Sequence, residues 1–141
     1  MTAEDIIDRL GLRPHPEGGW YAEVWRAPAD RGTRASGSSI LYLLPAGERS
    51  HWHKVDADEV WNFHGGAPLA LRVGPDGGPA TEHRLGLDLD AGATPQVVVP
   101  AGHWQSATST GDWTLVGCVV SPAFDFDGFE LEPDDFDLPG A

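Results

Sequence analysis

Cysteine is nearly missing from this 141-residue chain. Cys118 stands alone, so no intrachain disulfide can form and a cysteine-rich zinc module is excluded. Positive charge is scarce as well. Nine Lys and Arg face 22 Asp and Glu, for a formal net charge of −13, and no base follows Arg84. A surface this negative repels phosphate backbones and anionic lipid heads, which sets nucleic acid and membrane surfaces aside as partners. Long apolar runs are also lacking, so no membrane-spanning helix is expected. The opening MTAEDIIDRL carries Glu4, Asp5 and Asp8 and no basic start, unlike a secretory signal. A cytoplasmic protein is the expectation.

What is present suffices for one core. A 15.1 kDa chain with 40% hydrophobic residues, including six Trp, five Phe and two Tyr, is one domain's length over residues 1–141. Thr2 and Asp5 form a capping-box start, Ile6, Ile7 and Leu10 recur at helical spacing, and Gly11 offers a stop, predicting a short helix over 2–12. Beyond it, 18 Gly and 12 Pro cut the chain into short segments of strand character. Strands are predicted at 19–26, 38–44, 49–53, 59–64, 69–73, 80–85, 96–99, 103–108 and 113–121. Nine short strands over 19–121 joined by tight turns imply an all-β sandwich or barrel. The acidic segment 122–141 holds Phe124, Phe126, Phe129 and Phe136, which predicts that it docks on the barrel, since a free acidic tail has no use for them.

One group of residues carries chemistry. In a strand, His51 and His53 at i and i+2 share a face, and a returning strand that opens at Glu59 brings a carboxylate towards them. Two His and one Glu converging form a ligand set for Zn, Fe, Mn or Ni. In PAGHWQSA (100–107), His103 and Gln105 share a second inward face. Glu59, Trp61 and Phe63 lie on one strand face, so Trp61 floors a pocket, while Trp104 opposes Gln105 and packs outside. His15, Glu17 and Glu23 belong to HPEGG…E, read chiefly as a structural or exchanged strand with Gly18 and Gly19 in a turn. Glu23 and Arg26 are the residues of this strand expected to visit the cavity. Arg49 and Arg72 could fix an anion but default to the surface, as do His64 and His83. Cys118, in an apolar strand, reads as a buried thiol.

Gly47, His51-x-His53, Glu59 and Gly66, followed by Pro100-x-Gly102 and Gln105, resemble the two motifs of the cupin superfamily. The runs HPEGGWYAEVWR, SHWHKVDADEVWNFHGGAPLAL, VVVPAGHWQSA and GCVVSPAFDFDGFEL are similar to the Cupin_5 family, from about residue 2 to 131. The resemblance implies a double-stranded β-helix (a cupin jelly-roll barrel), a homodimer, and a small-molecule ligand in the central cavity. It places one divalent metal on His51, His53, Glu59 and Gln105. Gln105 stands where the motif has His, and the spacings before His51 and after His53 differ from the motif. Similar cupins that epimerise sugar nucleotides imply a metal-free alternative with His53 as base, although Tyr21 and Tyr42 match no tyrosine motif. The expectation is an enzyme of isomerase or epimerase type acting on a sugar-like or other polar carbonyl substrate. His53 and Glu59 would be catalytic, metal-assisted or by acid-base chemistry, with Glu23, Trp61, Phe63, His103 and Gln105 against the substrate. The alternative is a cupin that only binds or senses its ligand.

Overall fold

The computed structural model describes residues 1–133 and 135–140. Helix α1 (Ala3–Leu10) begins where its cap demands. The Thr2 hydroxyl accepts the Asp5 N–H at 3.2 Å, the Asp5 carboxylate accepts the Thr2 N–H at 3.0 Å, and Gly11 at φ +64° ends the helix. Its Ala3 and Ile6 bury against Leu12 and Leu43.

Eleven strands follow among the described residues: β1 (Arg13–Pro14), β2 (Trp20–Arg26), β3 (Ser38–Pro45), β4 (Arg49–Val55), β5 (Asp58–Gly66), β6 (Leu69–Gly74), β7 (Thr81–Leu85), β8 (Gln96–Val99), β9 (Trp104–Ser109), β10 (Trp113–Ser121) and β11 (Phe129–Leu131). They form a six-stranded sheet, β1-β2-β3-β10-β5-β8, and a five-stranded sheet, β11-β4-β9-β6-β7. From β3 to β11 the chain crosses between the sheets at every step except β6 to β7. That winding is the double-stranded β-helix expected from the sequence.

Leu44, Trp61, Leu71, Leu85, Val97 and Val116 fill the space between the sheets. Each contributes about 1.5–3 kcal/mol when fully buried. Strand β3 reads as a continuous apolar run because both faces are covered: Tyr42 and Leu44 join the inner core and Leu43 meets α1. All nine predicted strands are found, with ends displaced by a few residues. The two not predicted, β1 and β11, are only two and three residues long. They exist through pairing with β2 and β4, which no local pattern announces.

The final segment lies across the five-stranded sheet. Leu138 and Phe136 pack on Trp52 and Trp104, and Asp137 accepts from Trp52 Nε1 at 3.1 Å and Arg72 at 2.9 Å. Asp134 and Ala141, within the expected 122–141 segment, lie outside the described residues. No described helix is long and apolar enough to cross a membrane.

Candidate functional site

The site begins with a turn pressed into the body. In HPEGG, the His15 N–H donates to the Gly19 carbonyl at 2.9 Å and the Gly18 N–H to the His15 carbonyl at 3.0 Å. Gly18 and Gly19 adopt φ +105° and +75°, a region that favours glycine. A side chain on Gly18 would also overlap the Arg49 carbonyl. The Tyr42 hydroxyl donates to the Gly18 carbonyl, and the His51 N–H donates to the Glu17 carbonyl at 2.7 Å. Seated this way, the turn carries Glu17 into the interior, where it is 7% exposed.

Glu17 there meets His53. Glu17 Oε2 lies 2.7 Å from His53 Nε2 and accepts from Ser50 Oγ at 2.7 Å. His53 Nδ1 stands 2.7 Å from the His51 carbonyl. Both ring nitrogens therefore face oxygen acceptors, an arrangement that demands both protons. Burial alone would lower the His53 pKa. The charge and hydrogen bond of Glu17 outweigh it, with help from Glu59, and lift the value to about 9. Burial pushes Glu17 up, but His53, His15 and Ser50 together hold it below the usual carboxylate range. His15 is pushed down by burial, against Glu17. Its Nδ1 accepts the Glu17 N–H at 3.1 Å, as a neutral ring can.

Glu59 approaches from the opposite sheet. Its backbone sits between Val99 of β8 and Val120 of β10, and its carboxyl lines the same cavity as His53 and Cys118, a space of about 200 Å³. Burial raises its pKa to about 7, the His53 cation opposing and Glu17 reinforcing the rise. Gln105 positions this carboxyl. Its Nε2 donates to Glu59 Oε1 at 3.0 Å, and its Oε1 accepts from Trp61 Nε1 at 2.8 Å. The Cys118 thiol lines the same cavity, and burial, reinforced by the Glu59 and Glu17 charges, raises its pKa well above the ordinary thiol value. Two carboxyls in one interior are thus driven apart, one ionised and one poised near neutrality.

The sequence-predicted residues fall into three places. His53, Glu59 and Glu23 line the cavity; Glu23 stands with Arg26, its Oε1 2.6 Å from the Arg26 guanidinium. Gln105, Trp61 and Phe63 lie behind the lining, with Trp61 and Phe63 packed in the inner core. His51 and His103 do not reach the cavity. The expectation for His51 fails through a bulge. Between the pairs Ser50↔Ala107 and His53↔Gln105, β4 holds one residue more than β9, which breaks the alternation that the i, i+2 argument assumes. His51 Nε2 instead contacts the Pro133 carbonyl, while its buried Nδ1 has no partner among the described residues.

A divalent ion does not fit the set His51, His53, Glu59 and Gln105. One member is turned away, His53 has no free lone pair, and Gln105 is engaged at both ends. Among the described residues, no group of three or more His, Cys, Asp or Glu is arranged to hold a metal.

Sequence reasoning gave Glu17 and His15 a structural part, although they build the interior. The available signal was the Gly-Gly pair directly after Glu17, which marks a close approach of backbones. Arg13 and Tyr21, paired across β1 and β2, also line the cavity and were missed, since a two-residue strand such as β1 has no local signal. Trp104 packs on the outer face, Arg72 pairs with Asp137, and His64 is exposed.

Comparison with known proteins bears on the family and the fold. The description of Cupin_5, "Cupin superfamily (DUF985)", matches residues 4–132. The crystal structure of protein SO0799 from Shewanella oneidensis is 44% identical, with 94% of this chain and 85% of that one covered and a TM-score of 0.89. A hypothetical protein from Leishmania major is 33% identical, covering 94% and 88%, at 0.84. KdgF from Halomonas sp. is 14% identical, covering 82% and 89%, at 0.60, a likeness of fold alone. No curated protein matches the sequence.

Proposed function

The chain belongs to the Cupin_5 family, and on that premise we propose that it is a small-molecule enzyme of isomerase or epimerase type. Its substrate is a small polar carbonyl compound, sugar-like or similar, held in the cavity between the sheets. The observation that supports this reading is Glu59, a buried carboxyl facing the cavity with its pKa near 7. A group poised there serves as base and as acid at neutral pH.

In this mechanism Glu59, ionised, takes a proton from the carbon beside the substrate carbonyl. The electron pair moves into the C–C bond as the carbonyl becomes an enolate. In the isomerisation of a 2-hydroxy carbonyl compound, Glu59 then returns the proton to the former carbonyl carbon while the hydroxyl proton of the neighbouring carbon passes to the former carbonyl oxygen, leaving the new carbonyl on that neighbour; an epimerisation needs a second acid on the opposite face. The product has the composition of the substrate, so no oxidant or reductant is needed. His53 acts as a fixed positive charge that favours the enolate, since Glu17 and the His51 carbonyl hold both of its protons. This departs from the expectation of His53 as the base. No step uses a metal.

A second reading, a cupin that only binds its ligand, is favoured by the hydrogen bond that Gln105 makes to Glu59. The test is exchange of substrate C–H protons in deuterated water, followed by proton NMR over aldoses, ketoses and 2-oxo acids. The enzyme reading expects exchange with at least one compound and its loss in Glu59→Gln. A compound that binds tightly without exchange would overturn it in favour of the binding reading. Stoichiometric metal surviving purification without a chelator would overturn the metal-free step.

The protein is further proposed to be a cytoplasmic homodimer. β1 covers only the Trp20–Tyr21 end of β2, and Val24 and Trp25 beyond it are 56% and 49% exposed, an edge suited to a second copy.

A further inference from the structure

The cavity mouth carries two guanidinium groups of unequal status. Arg26 is committed. Its Nε donates to Glu23 Oε1 at 2.9 Å, and its terminal nitrogens reach the Phe124 carbonyl at 3.3 Å. Arg13 also lines the cavity, yet among the described residues no hydrogen bond or ion pair engages it. Arg34, Lys54 and Arg72 each pair with a carboxylate.

Arg13 is nonetheless placed by structure. β1 is two residues long, and its pairing puts Arg13 directly opposite Tyr21, another cavity residue. The same cavity is also lined by aromatic rings. The Phe124 ring stands edge-on to Phe126, with centroids 4.8 Å apart, and 5.6 Å from Phe129. Deeper in, both ring protons of the His53 cation are held by Glu17 and the His51 carbonyl, so it has no free N–H to donate to an anionic group of a ligand.

We infer that Arg13 is an anion-recognition residue, and that the cavity takes a small ligand with a carboxylate or phosphate at the mouth and its polar carbonyl end at Glu59. This rests on the reading of the cavity as a ligand site, and it deepens that reading by naming the charge of the ligand. A guanidinium offers paired N–H donors that match either oxyanion. The enclosed volume, about 200 Å³, lies below the roughly 300–1,000 Å³ of drug-sized pockets, which suits a molecule of metabolite size. At long range the net charge of −13 repels anions, so a local cation is what an anionic ligand requires.

The test measures binding of glucuronate, glucose 6-phosphate and uncharged glucose by NMR shift perturbation, on the wild type and on Arg13→Gln. The Arg13 side chain is exposed and, among the described residues, makes no hydrogen bond, and its backbone pairing with β2 is open to glutamine as well, so this variant keeps the fold. The expected result is at least tenfold tighter binding of one anion than of glucose in the wild type, falling to the glucose level in Arg13→Gln. Preference for glucuronate identifies a carboxylate, and preference for glucose 6-phosphate a phosphate. Glucose bound as tightly as both anions, anion affinity unchanged by Arg13→Gln, or no binding of either anion would overturn the inference. Because binding is read without turnover, failure of the catalytic proposal shows separately, as anion preference without proton exchange.

Discussion

Replacing Glu59 with Gln offers the sharpest test of the interior electrostatics, because it removes one titration and keeps the shape. The amide oxygen can still accept from Gln105 Nε2, as Glu59 Oε1 does at 3.0 Å. In the unfolded chain this carboxyl titrates near 4.5, and in the fold near 7. Between those values the native protein holds a proton that the unfolded chain has released. Stability therefore falls as pH rises from 4.5 to about 7, by roughly 3 kcal/mol. His53, raised from 6.5 to about 9, stabilises fully below 6.5 and loses that contribution as pH climbs through 9. Glu17 is depressed, so its contribution is lost only in acid, below this range. The wild type is thus expected to weaken in two successive windows, and Glu59→Gln in the second alone. Urea unfolding followed by tryptophan fluorescence at half-unit steps from pH 5 to 10 would show this. For a chain of this size, a 3 kcal/mol difference also means roughly 10 °C in melting temperature. Parallel curves for the two proteins between pH 5 and 7 would refute the assignment of a raised pKa to Glu59.

Three other outcomes are expected. Glu17→Gln strands the His53 cation, at a cost of roughly 3–5 kcal/mol, and burial then draws the His53 pKa below 6.5; an NMR titration in which it still deprotonates near 9 would contradict the pairing. Gly18→Ala sets a methyl against the Arg49 carbonyl at φ +105°, so its urea midpoint should correspond to a loss of about 3 kcal/mol or more. Wild-type stability in that variant would mean that the turn is not seated as described. Light scattering after size-exclusion chromatography should return twice 15.1 kDa for the wild type and a single chain for Trp25→Glu; a monomeric wild type would remove the exposed edge of β2 as an interface.

Most of the winding was legible because Gly and Pro punctuate it. Strands 96–99 and 113–121 coincide with β8 and β10 to the residue, each being an apolar segment bounded by turns. The site was less legible. Glu59 was readable as a carboxylate on the strand face of Trp61 and Phe63, where burial forces a function or a partner. His51 was misplaced because one extra residue in β4 reverses the alternation, and a bulge leaves no mark in composition. Glu17 stayed hidden for a different reason. Its chemistry depends on where the turn at Gly18–Gly19 docks, and docking is a property of β3 and β4, not of the turn itself.

The cavity walls come from stretches that are remote along the chain. The Arg26 guanidinium reaches the Phe124 carbonyl across 98 positions, and Phe129 faces His53, with ring centroids 5.6 Å apart. A molecule seated between these walls acts as a reversible crosslink, tying residues 13–26 to residues 124–131. Opening of that later stretch alone would peel the edge strand β11 from β4 and expose the interior while the rest of the two sheets stays paired, so ligand occupancy and local opening oppose each other. Amide exchange along Phe124–Leu131 would then slow in proportion to occupancy, and the backbone of this strap would report on a chemistry in which it takes no part.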